Sequence, residues 1–390
     1  MSKQAKILLV VSALFTLAMG LSNVFVNIFL WKESNSFILI AKYQLMQYLF
    51  VPITFTFAGW LSKRKNGIWA LRIGIIFFII SFSSILLAKE AIIDYIYIFG
   101  ILFGIAAGFY WLAFQVLSFD FTCTDNRDTF NGYNGFIASA AGSIAPLSAA
   151  FIIEKSQDSK GYFIVFFISL VLFVIQIIVS FLIKSQNYSC KLDFGKVIKK
   201  SNTEWEDIRK VIFIWGFRDV VIIFLVQILI YTTTESEMAL GKITFVAAIV
   251  SCFSYLLEQK IIKPARRLRS MQIGAIFLFI AVIGLVFNIN YMFLVVYTIL
   301  NAMFIPFFMI PINSATFNIL NINHLEEYRV EYIINKEIII NLGRILSTVI
   351  LILLLTYVQN ERILNYFLLF IGSAQLISIY FLRKIKMWDK

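Results

Sequence analysis

The chain has 390 residues, of which 60% are hydrophobic and only 14% are charged. Its mean hydropathy of +0.86 and its low charge exclude a soluble globular protein, because about 25% of the residues in such proteins are charged. The net charge of +12 does not by itself indicate nucleic-acid binding, and we expect no nucleic-acid partner. A single histidine, His324, and three cysteines without metal-ligand spacing give no basis for a metal site or a Ser-His triad. The composition predicts an all-α integral membrane protein without a cofactor.

The predicted elements are twelve transmembrane helices, because a helix needs about 20 mainly apolar residues to cross the hydrocarbon core. The first apolar run has 24 residues, which is longer than the apolar core of a signal peptide, about 7–15 residues, so we interpret it as an uncleaved span. The predicted spans are Ile7–Leu30, Phe37–Leu61, Ile68–Leu87, Tyr95–Phe119, Phe130–Ile153, Tyr162–Ile183, Val211–Tyr231, Ala239–Leu257, Met271–Phe287, Tyr291–Leu320, Ile333–Tyr357 and Ile363–Leu382.

A polar segment interrupts this series near the middle of the chain. Between Lys184 and Lys210 no long apolar block occurs, and each flank holds six of the predicted spans. We therefore expect an N-terminal six-helix bundle at residues 1–184, a cytoplasmic linker at 185–210 and a C-terminal six-helix bundle at 211–390. Basic loops follow both the second and the eighth span, which favours two pseudo-repeats.

Lysine and arginine residues are distributed unevenly between the two sides of this topology. With the N-terminus inside, 25 of the 34 basic residues lie on the cytoplasmic side and seven on the outer side, while Arg218 and Arg344 lie within spans. An excess of basic residues marks the cytoplasmic loops of membrane proteins. We therefore predict a multi-pass protein of the cell (cytoplasmic) membrane with both termini in the cytoplasm. Its cysteines (Cys123, Cys190 and Cys252) then fall within a helix or on the reducing side, and no disulfide is needed.

The fifth span carries a pattern of small residues around one proline, in the register G-x8-G-x3-G-P-x2-G-G. Small residues let helices approach closely. Together with the twelve spans, the six-plus-six layout and the cytoplasmic hinge, the pattern resembles the antiporter motif of the major facilitator superfamily. A packing seam without a role in antiport is the alternative interpretation. The residues of the pattern are Gly132, Ala141, Ala145, Pro146, Ala149 and Ala150.

The resemblance covers essentially the whole chain and implies a secondary transporter whose two halves give alternating access to a central site. Two other signatures of the superfamily are altered. In the loop after the second span, Lys63 occupies the usual aspartate position and Asn66 that of a glycine. In the fourth span, Gly100 stands where the family has an arginine, ahead of Gly104 and Gly108. The loss of that arginine weakens the case for the usual proton-coupled drug efflux.

Ionisable residues inside spans are costly and are functional candidates by default. In span eleven, Glu337, Asn341 and Arg344 follow an i, i+4, i+7 spacing that places them on one helical face. In span seven, the adjacent Arg218 and Asp219 point about 100° apart, so we expect them to pair across helices rather than with each other. The network is interpreted as a cytoplasmic gate or proton-linked switch, or as a fixed ion-pair clamp. Asp219 is the best single candidate for protonation, because a carboxylate at membrane depth is costly in its charged form.

The resemblance also implies that the first, fourth, seventh and tenth spans line the substrate cavity. Their polar and aromatic residues are mostly amides and rings without formal charge, a lining that suits a weakly charged or amphiphilic small molecule. The predicted cavity residues are Asn23, Asn27, Tyr110, Trp111, Gln115, Gln227, Tyr231, Asn301 and Asn313.

The altered loop after the second span predicts a reversed pair of charges. In the usual pattern an aspartate there is attracted to the positive end of the eleventh helix, which would repel Lys63. The start of the eleventh span is acidic in this chain, so we expect Lys63 or Arg64 to pair with Glu331 or Glu337 and to hold the outward-facing state closed on the cytoplasmic side. Alternatively, Lys63 only enforces topology and faces lipid phosphates.

Taken from the sequence, the function is secondary active transport, with efflux of a small amphiphilic or weakly polar compound as the leading direction and protons as a candidate coupling ion. The alternatives are a lipid or glycolipid flippase, a membrane-embedded lipid-modifying transferase, and a transporter-like sensor or scaffold. The linker is too short for a catalytic domain, and the sequence has no G-x4-G-K-[ST] loop for ATP. We therefore expect a transporter rather than an enzyme, with a small-molecule substrate and the lipid bilayer as its partners.

Overall fold

The computed structural model describes residues 1–122, 124–156, 159–184, 192–193, 195, 197, 203–261, 266–322, 328–358, 360 and 362–385. Cys123, Cys190 and His324 lie outside these residues. Within them the regular elements are helices, and twelve helices are long and apolar enough to cross a membrane. They are α1 (Lys3–Ser34), α2 (Phe37–Arg64), α3 (Gly67–Ala88), α4 (Ile96–Asp120), α5 (Thr124–Lys155), α6 (Lys160–Ser180), α7 (Thr203–Thr234), α8 (Glu237–Ile261), α9 (Arg267–Phe287), α10 (Tyr291–Ile322), α11 (Arg329–Tyr357) and α12 (Ile363–Leu382). A short 3₁₀ helix, Lys89–Ile93, follows α3.

The largest difference from the predicted spans is the start of α7. This helix begins at Thr203, whereas the sequence predicts a span from Val211 and assigns the residues before it to the linker. Trp205 and Ile208 are fully buried, and the Trp205 ring packs edge-on at 5.0 Å between centroids against Tyr332. The two buried side chains are three residues apart and lie on one helical face, so their burial extends the helix through a polar sequence.

The contacts divide the chain into two compact units. The first comprises Met1–Leu192 and Ser236–Phe245, and the second comprises Asp193–Glu235 and Val246–Lys390. In the first unit, α1 packs against α5 and α6, and α3 packs against α4 and α6. In the second unit, α7 packs against α11 and α12, and α9 packs against α10 and α12. These four helix pairs of the first unit therefore recur in the second, six helices further along the chain. The predicted boundaries at residues 184 and 211 stay a prediction.

The junction between α1 and α2 and the junction between α7 and α8 have the same capping interactions. Asn35 ends α1 and Glu235 ends α7, both with a φ of 49°, and the N–H of each donates to the carbonyl four residues earlier at 2.7 Å. The next residues, Ser36 and Ser236, accept a hydrogen bond from the N–H three residues later, at 3.3 and 3.1 Å. A serine that accepts in this way satisfies one of the free N–H groups at a helix start. The two helix junctions, 200 residues apart, are thus built alike.

Each unit also contains a close helix crossing of its own. In the second unit a methyl group on Gly216 of α7 would collide with the carbonyl oxygen of Ile340, and one on Gly343 of α11 would collide with that of Phe213. In the first unit a methyl group on Gly20 of α1 would lie 3.0 Å from the Cβ of Ala145 on α5. Small residues allow this approach in both units. The α7–α11 crossing is the closer of the two because it brings backbone against backbone.

Candidate functional site

The α7–α11 crossing brings ionisable side chains of two helices together. Asp219 lies three residues after Gly216 on α7, and Arg344 lies directly after Gly343 on α11. The backbones touch at the two glycines, so side chains one turn away reach across the crossing. Asp219 Oδ2 and Arg344 Nη2 are 3.8 Å apart, which is an ion pair between α7 and α11.

Arg344 also contacts a second carboxylate, on its own helix. Its Nη1 lies 3.8 Å from Glu337 Oε1 and donates to Asn341 Oδ1 at 3.4 Å. The amide of Asn341, which is fully buried, donates to Glu337 Oε1 at 2.9 Å. Two turns of α11 thus present one continuous polar face, and a single guanidinium stands between Glu337 and the Asp219 of α7.

Arg218 points to a different helix from its neighbour Asp219. Its Nη2 donates to Asn301 Oδ1 on α10 at 2.7 Å, and its guanidinium carbon lies 5.7 Å from the centre of the Trp215 ring. The side chain is only 1% exposed. Adjacent positions on a helix differ by about 100° in direction, so the pair Arg218 and Asp219 connects α7 to two partners, α10 and α11.

The sequence did not assign a site role to Lys336, which precedes Glu337. Its Nζ donates to Asn313 Oδ1 of α10 at 2.7 Å. Two of the amides predicted to line the cavity, Asn301 and Asn313, thus accept hydrogen bonds from basic side chains in the second unit. Lys336 is counted among the cytoplasmic basic residues of the predicted topology, but it lies in the first turn of the predicted eleventh span, where a lysine is costly unless it finds an acceptor. Gln227 and Tyr231, also predicted to line the cavity, are partly exposed on α7.

The predicted cavity residues of the first unit fall into two environments. Asn27 of α1 accepts from Gln44 Nε2 on α2 at 2.9 Å, and the Tyr48 hydroxyl donates to Gln44 Oε1 at 3.0 Å. Gln44 and Tyr48 were not among the predicted residues, because a single sequence does not show which side chains of α2 point toward α1. Asn23, one turn before Asn27, is exposed instead.

The aromatic residues of α4 are also separated. Tyr110 is buried and stacks on Phe15 of α1 with 3.7 Å between ring centres. Trp111 is 43% exposed, and Gln115, one turn further, is half-buried. Tyr110 therefore contributes its ring to the core, while Trp111 and Gln115 keep accessible surface.

The small residues of α5 form a packing face. Ala141 and Ala145 lie against Gly20 of α1, with the Ala141 carbonyl oxygen 3.3 Å from the Cβ position of that glycine. Further along the helix the Pro146 carbonyl oxygen lies 3.3 Å from the Cβ position of Gly241 of α8. The remaining members differ in environment. Ala149 and Ala150 are fully buried, whereas Gly132 is exposed, with no atom within 4 Å of its Cβ position.

The altered family signature in α4 has a physical explanation. A methyl group on Gly100 of α4 would lie 2.6 Å from the carbonyl oxygen of Tyr43 on α2, and one on Gly104 would lie 2.9 Å from that of Gln47. The α2–α4 contact leaves no room for an arginine side chain at residue 100. At the end of α2, the guanidinium of Arg64 lies 5.2 Å from the ring of Trp60.

Glu331 at the start of α11 is engaged within its own unit. It is fully buried, and its Oε1 accepts a hydrogen bond from the N–H of Asp193 at 3.1 Å. The pairing of Lys63 or Arg64 with Glu331 or Glu337 stays a prediction. Among the described residues, no group of three His, Cys, Asp or Glu side chains could hold a metal ion.

The sequence signature of the Major Facilitator Superfamily matches residues 8–328, which is most of the chain. The chain belongs to the Major Facilitator Superfamily. The predicted family and the predicted fold class, an all-α protein with twelve helices in two six-helix repeats, are therefore confirmed. Membership indicates a multi-pass secondary transporter for a small molecule rather than an enzyme.

Two relatives of this superfamily protein are bacterial. It is 34% identical over 386 residues to "Uncharacterized protein YqgE" of Bacillus subtilis (strain 168), an alignment that covers 98% of this chain and 90% of that protein. It is 41% identical over 160 residues to "Uncharacterized protein in sodM 3'region" of Geobacillus stearothermophilus, which covers 41% of this chain and 75% of that protein. Neither name states a substrate.

Solved structures of transporters share the fold. A D-xylose-proton symporter has a TM-score of 0.73 at 14% identity and covers 98% of this chain and 97% of its own. An auto-inhibited POT family peptide transporter has a TM-score of 0.72 at 10% identity, with coverage of 98% and 96%. A bacterial metal transporter has a TM-score of 0.65 at 13% identity, with coverage of 100% and 99%. At these identities the likeness shows the fold alone.

Proposed function

We propose that this superfamily member exports a small amphiphilic or weakly polar compound by alternating access, and that its Asp219–Arg344–Glu337 network takes up and releases a proton during the cycle. One observation carries the proposal. A single guanidinium lies 3.8 Å from two carboxylates, one on the same helix and one on α7. The charge balance of this group changes whenever either carboxylate takes a proton.

The network responds to protonation through competition for Arg344. With both carboxylates charged, Arg344 is shared between α7 and α11. When Asp219 is protonated, it loses its charge attraction to Arg344, which then pairs with Glu337 on its own helix. The link between α7 and α11 therefore weakens with the uptake of one proton, and this is a local charge change that can bias a two-state element.

The residual exposure of these side chains supports proton exchange rather than a sealed clamp. The side chains of Asp219, Glu337 and Arg344 retain 14%, 23% and 19% exposure. A fully desolvated ion pair resists opening, because removal of one partner costs about 3–5 kcal/mol. A partly exposed pair at 3.8 Å separates at lower cost, as a coupling site requires.

The solute class is supported by the residues available for contact. Exposed Asn23, partly exposed Gln115 and Gln227, and the exposed Trp111 ring provide amides and an aromatic surface without formal charge. Ligand sites with this composition combine apolar contact with a few orienting hydrogen bonds. Export as the direction is supported by the small-residue face of α5, which resembles the antiporter motif.

A ligand screen tests the solute class. The purified protein would be heated with drugs, sugars, peptides and lipids at pH 6 and pH 8, and its Tm measured. We expect amphiphilic drug-like compounds to raise the Tm, because a ligand present at 100 times its Kd stabilises the folded state by about 2.7 kcal/mol. Stabilisation by sugars or peptides alone would overturn the proposed class.

The direction is tested with the compound that the screen identifies. Protein reconstituted in liposomes with its predicted cytoplasmic side outward should concentrate the compound inside when the lumen is made acidic. Uptake that requires the opposite gradient would contradict proton-driven export.

A further inference from the structure

The second unit contains an amphipathic groove that the proposed transport function does not use. The groove lies between α7, α11 and α12 and has a volume of about 550 Å³. Its apolar wall includes Phe213 and Ile214 of α7, Ile339 of α11, and Ile377 and Phe381 of α12. Charged residues of α7 line its other end, namely Glu206, Arg209 and Lys210.

Two ammonium groups, one on α7 and one just after the end of α12, lie beside the same aromatic ring at the charged end. Lys210 Nζ lies 5.3 Å from the centre of the Phe381 ring, and Lys384 Nζ lies 5.9 Å from the same centre. Lys384 also lies 4.2 Å from the Tyr380 ring. The Phe381 ring, which lines the groove, thus has one ammonium group from α7 and one from the residues just after α12 within 6 Å of its centre.

The acidic side chains at this end offset only part of the basic charge. Asp207 pairs with Lys210 at 3.2 Å, and Glu206 lies 3.8 Å from Arg209. Arg383 and Lys384, both exposed at the end of α12, add two further positive charges. Among the described side chains of this surface, four are basic and two are acidic, so the groove entrance is suited to an anion.

The other end of the groove continues into apolar surface of a membrane-spanning helix. Ile377 is 55% exposed and Tyr380 is 60% exposed on α12, a helix long and apolar enough to span a bilayer. The sequence of α7 is polar up to Lys210 and apolar after it. The sequence of α12 is mainly apolar up to Leu382 and is followed by basic residues. The groove therefore crosses the boundary where headgroups meet hydrocarbon in a bilayer.

We propose that this groove binds an anionic phospholipid of the surrounding bilayer. The phosphate lies between Lys210 and Lys384, and one acyl chain lies along Phe213, Ile339 and Ile377. Basic pockets between transmembrane helices recognise anionic headgroups in this manner. A soluble anion would leave the apolar wall in contact with water, whereas a phospholipid satisfies both ends of the groove. The site is independent of the transported compound and of the direction of transport.

Native mass spectrometry of the purified full-length protein tests this proposal. Phosphatidylglycerol and phosphatidylcholine with identical acyl chains would be titrated in the same detergent. We expect phosphatidylglycerol to bind more tightly, and the double variant Lys210→Gln/Lys384→Gln to lose most of this preference, since each basic residue near the headgroup contributes roughly fivefold. The matched control is Lys3→Gln/Lys65→Gln, which removes two exposed lysines outside the groove and should keep the preference.

A second variant tests the apolar end. Ile377→Trp adds bulk to the groove without changing charge, and its exposed position tolerates the ring, so folding should be preserved and binding of both lipids should fall. Three results would overturn the proposal: equal affinity for the two lipids in the wild type, equal loss in the control and the groove variant, or full competition by soluble glycerol phosphate. The last result would show an anion site without a lipid chain.

Discussion

The crossings α1–α5 and α7–α11 join corresponding helices of the two units and differ in their closeness and in their chemistry. In each unit the first and the fifth helix meet at small residues, Gly20 against Ala145 in one and Gly216 against Gly343 in the other. Among the described side chains, the ionic network lies at the second crossing. At positions 200 residues earlier, the first unit has apolar side chains: Ala18, Met19, Ile137, Ala141 and Ile144 stand where the second has Arg218, Asp219, Glu337, Asn341 and Arg344.

A stacked pair of aromatic rings lies beside the crossing in each unit. Phe15 stacks on Tyr110 in the first unit, and Trp215 stacks on Phe308 in the second, with ring centres 5.2 Å apart. Among the described residues, aromatic stacking therefore recurs beside both crossings, while the ionic network lies at the second. The proposed coupling site is therefore separable from the helical scaffold: the scaffold occurs in both units, whereas the described ionic network occurs in the second.

The largest expected effect is in cysteine labelling, which tests the predicted membrane topology of the two units, because a cysteine either reacts with an impermeant reagent or does not. Ser159 precedes α6 and Asn360 precedes α12, so a six-plus-six repeat with the predicted topology places both on the outer face. Single cysteines at these positions, in a cysteine-free background, should react with a membrane-impermeant maleimide added to intact cells. A variant that retains only Cys190, in the predicted linker, should not react. Labelling on opposite faces would break the comparison between the units.

The next effect concerns the closeness of the two crossings. Gly216→Ala should destabilise the protein by about 1–3 kcal/mol or more, because the added methyl group has no space against backbone. Gly20→Ala should cost less, since its neighbour is a methyl group at 3.0 Å. Gly132→Ala is the matched control, and it should be neutral or stabilising because a helical alanine is favoured over glycine by about 1 kcal/mol. Thermal unfolding in detergent measures all three, and equal Tm losses at residues 20 and 216 would contradict the difference.

A smaller effect is expected on transport when the shared cation is removed. Arg344→Gln leaves Asp219 and Glu337 without their common partner and should reduce the transport rate at least about tenfold, which corresponds to about 1.4 kcal/mol in the barrier. Ile144→Gln, at the equivalent position of the first unit, should have little effect. Removing both carboxylates together with Arg344 should restore Tm but not pH dependence. Equal rates for Arg344→Gln and wild type would show that the network is not used.

The smallest effect belongs to the predicted latch at the cytoplasmic side. Lys63→Glu should slow transport up to about fivefold, because a partly exposed ion pair contributes only ~0–1 kcal/mol. Adding Glu331→Lys or Glu337→Lys should restore the rate if that residue is the partner. Tm values are needed beside the rates, since Glu331 is buried. Additive losses in both double variants would leave Lys63 as a topology residue.

The sequence predicts the helices well because their signal is local. Apolar runs of sufficient length define all twelve helices, and the start of α7 is missed only because Trp205 and Ile208 lie in a polar context. The i, i+4, i+7 spacing likewise predicts that Glu337, Asn341 and Arg344 share a face, since one helix fixes their geometry. These inferences need no knowledge of how helices pack.

The partners across helices are not predictable in the same way. The pairing of Asp219 with Arg344 depends on the contact of Gly216 with Ile340, and an isolated glycine in an apolar run does not reveal which helix it meets. Asn301 and Asn313 were predicted as cavity residues from their helix alone, and their hydrogen bonds to Arg218 and Lys336 depend on the rotation of α10. Which neighbouring helix a side chain contacts depends on tertiary packing, and it can be determined only when the helices are placed together.

The most direct test of the central claim is the pH profile of transport by Asp219→Asn. In liposomes containing the identified compound, the wild type should transport faster with an imposed pH gradient, and the asparagine variant should bind the compound but lose this dependence. Asp94→Asn, a change at an exposed carboxylate near the start of α4, should retain the wild-type profile. An Asp219→Asn protein that transports with an unchanged pH profile would contradict the account and remove Asp219 from the coupling mechanism.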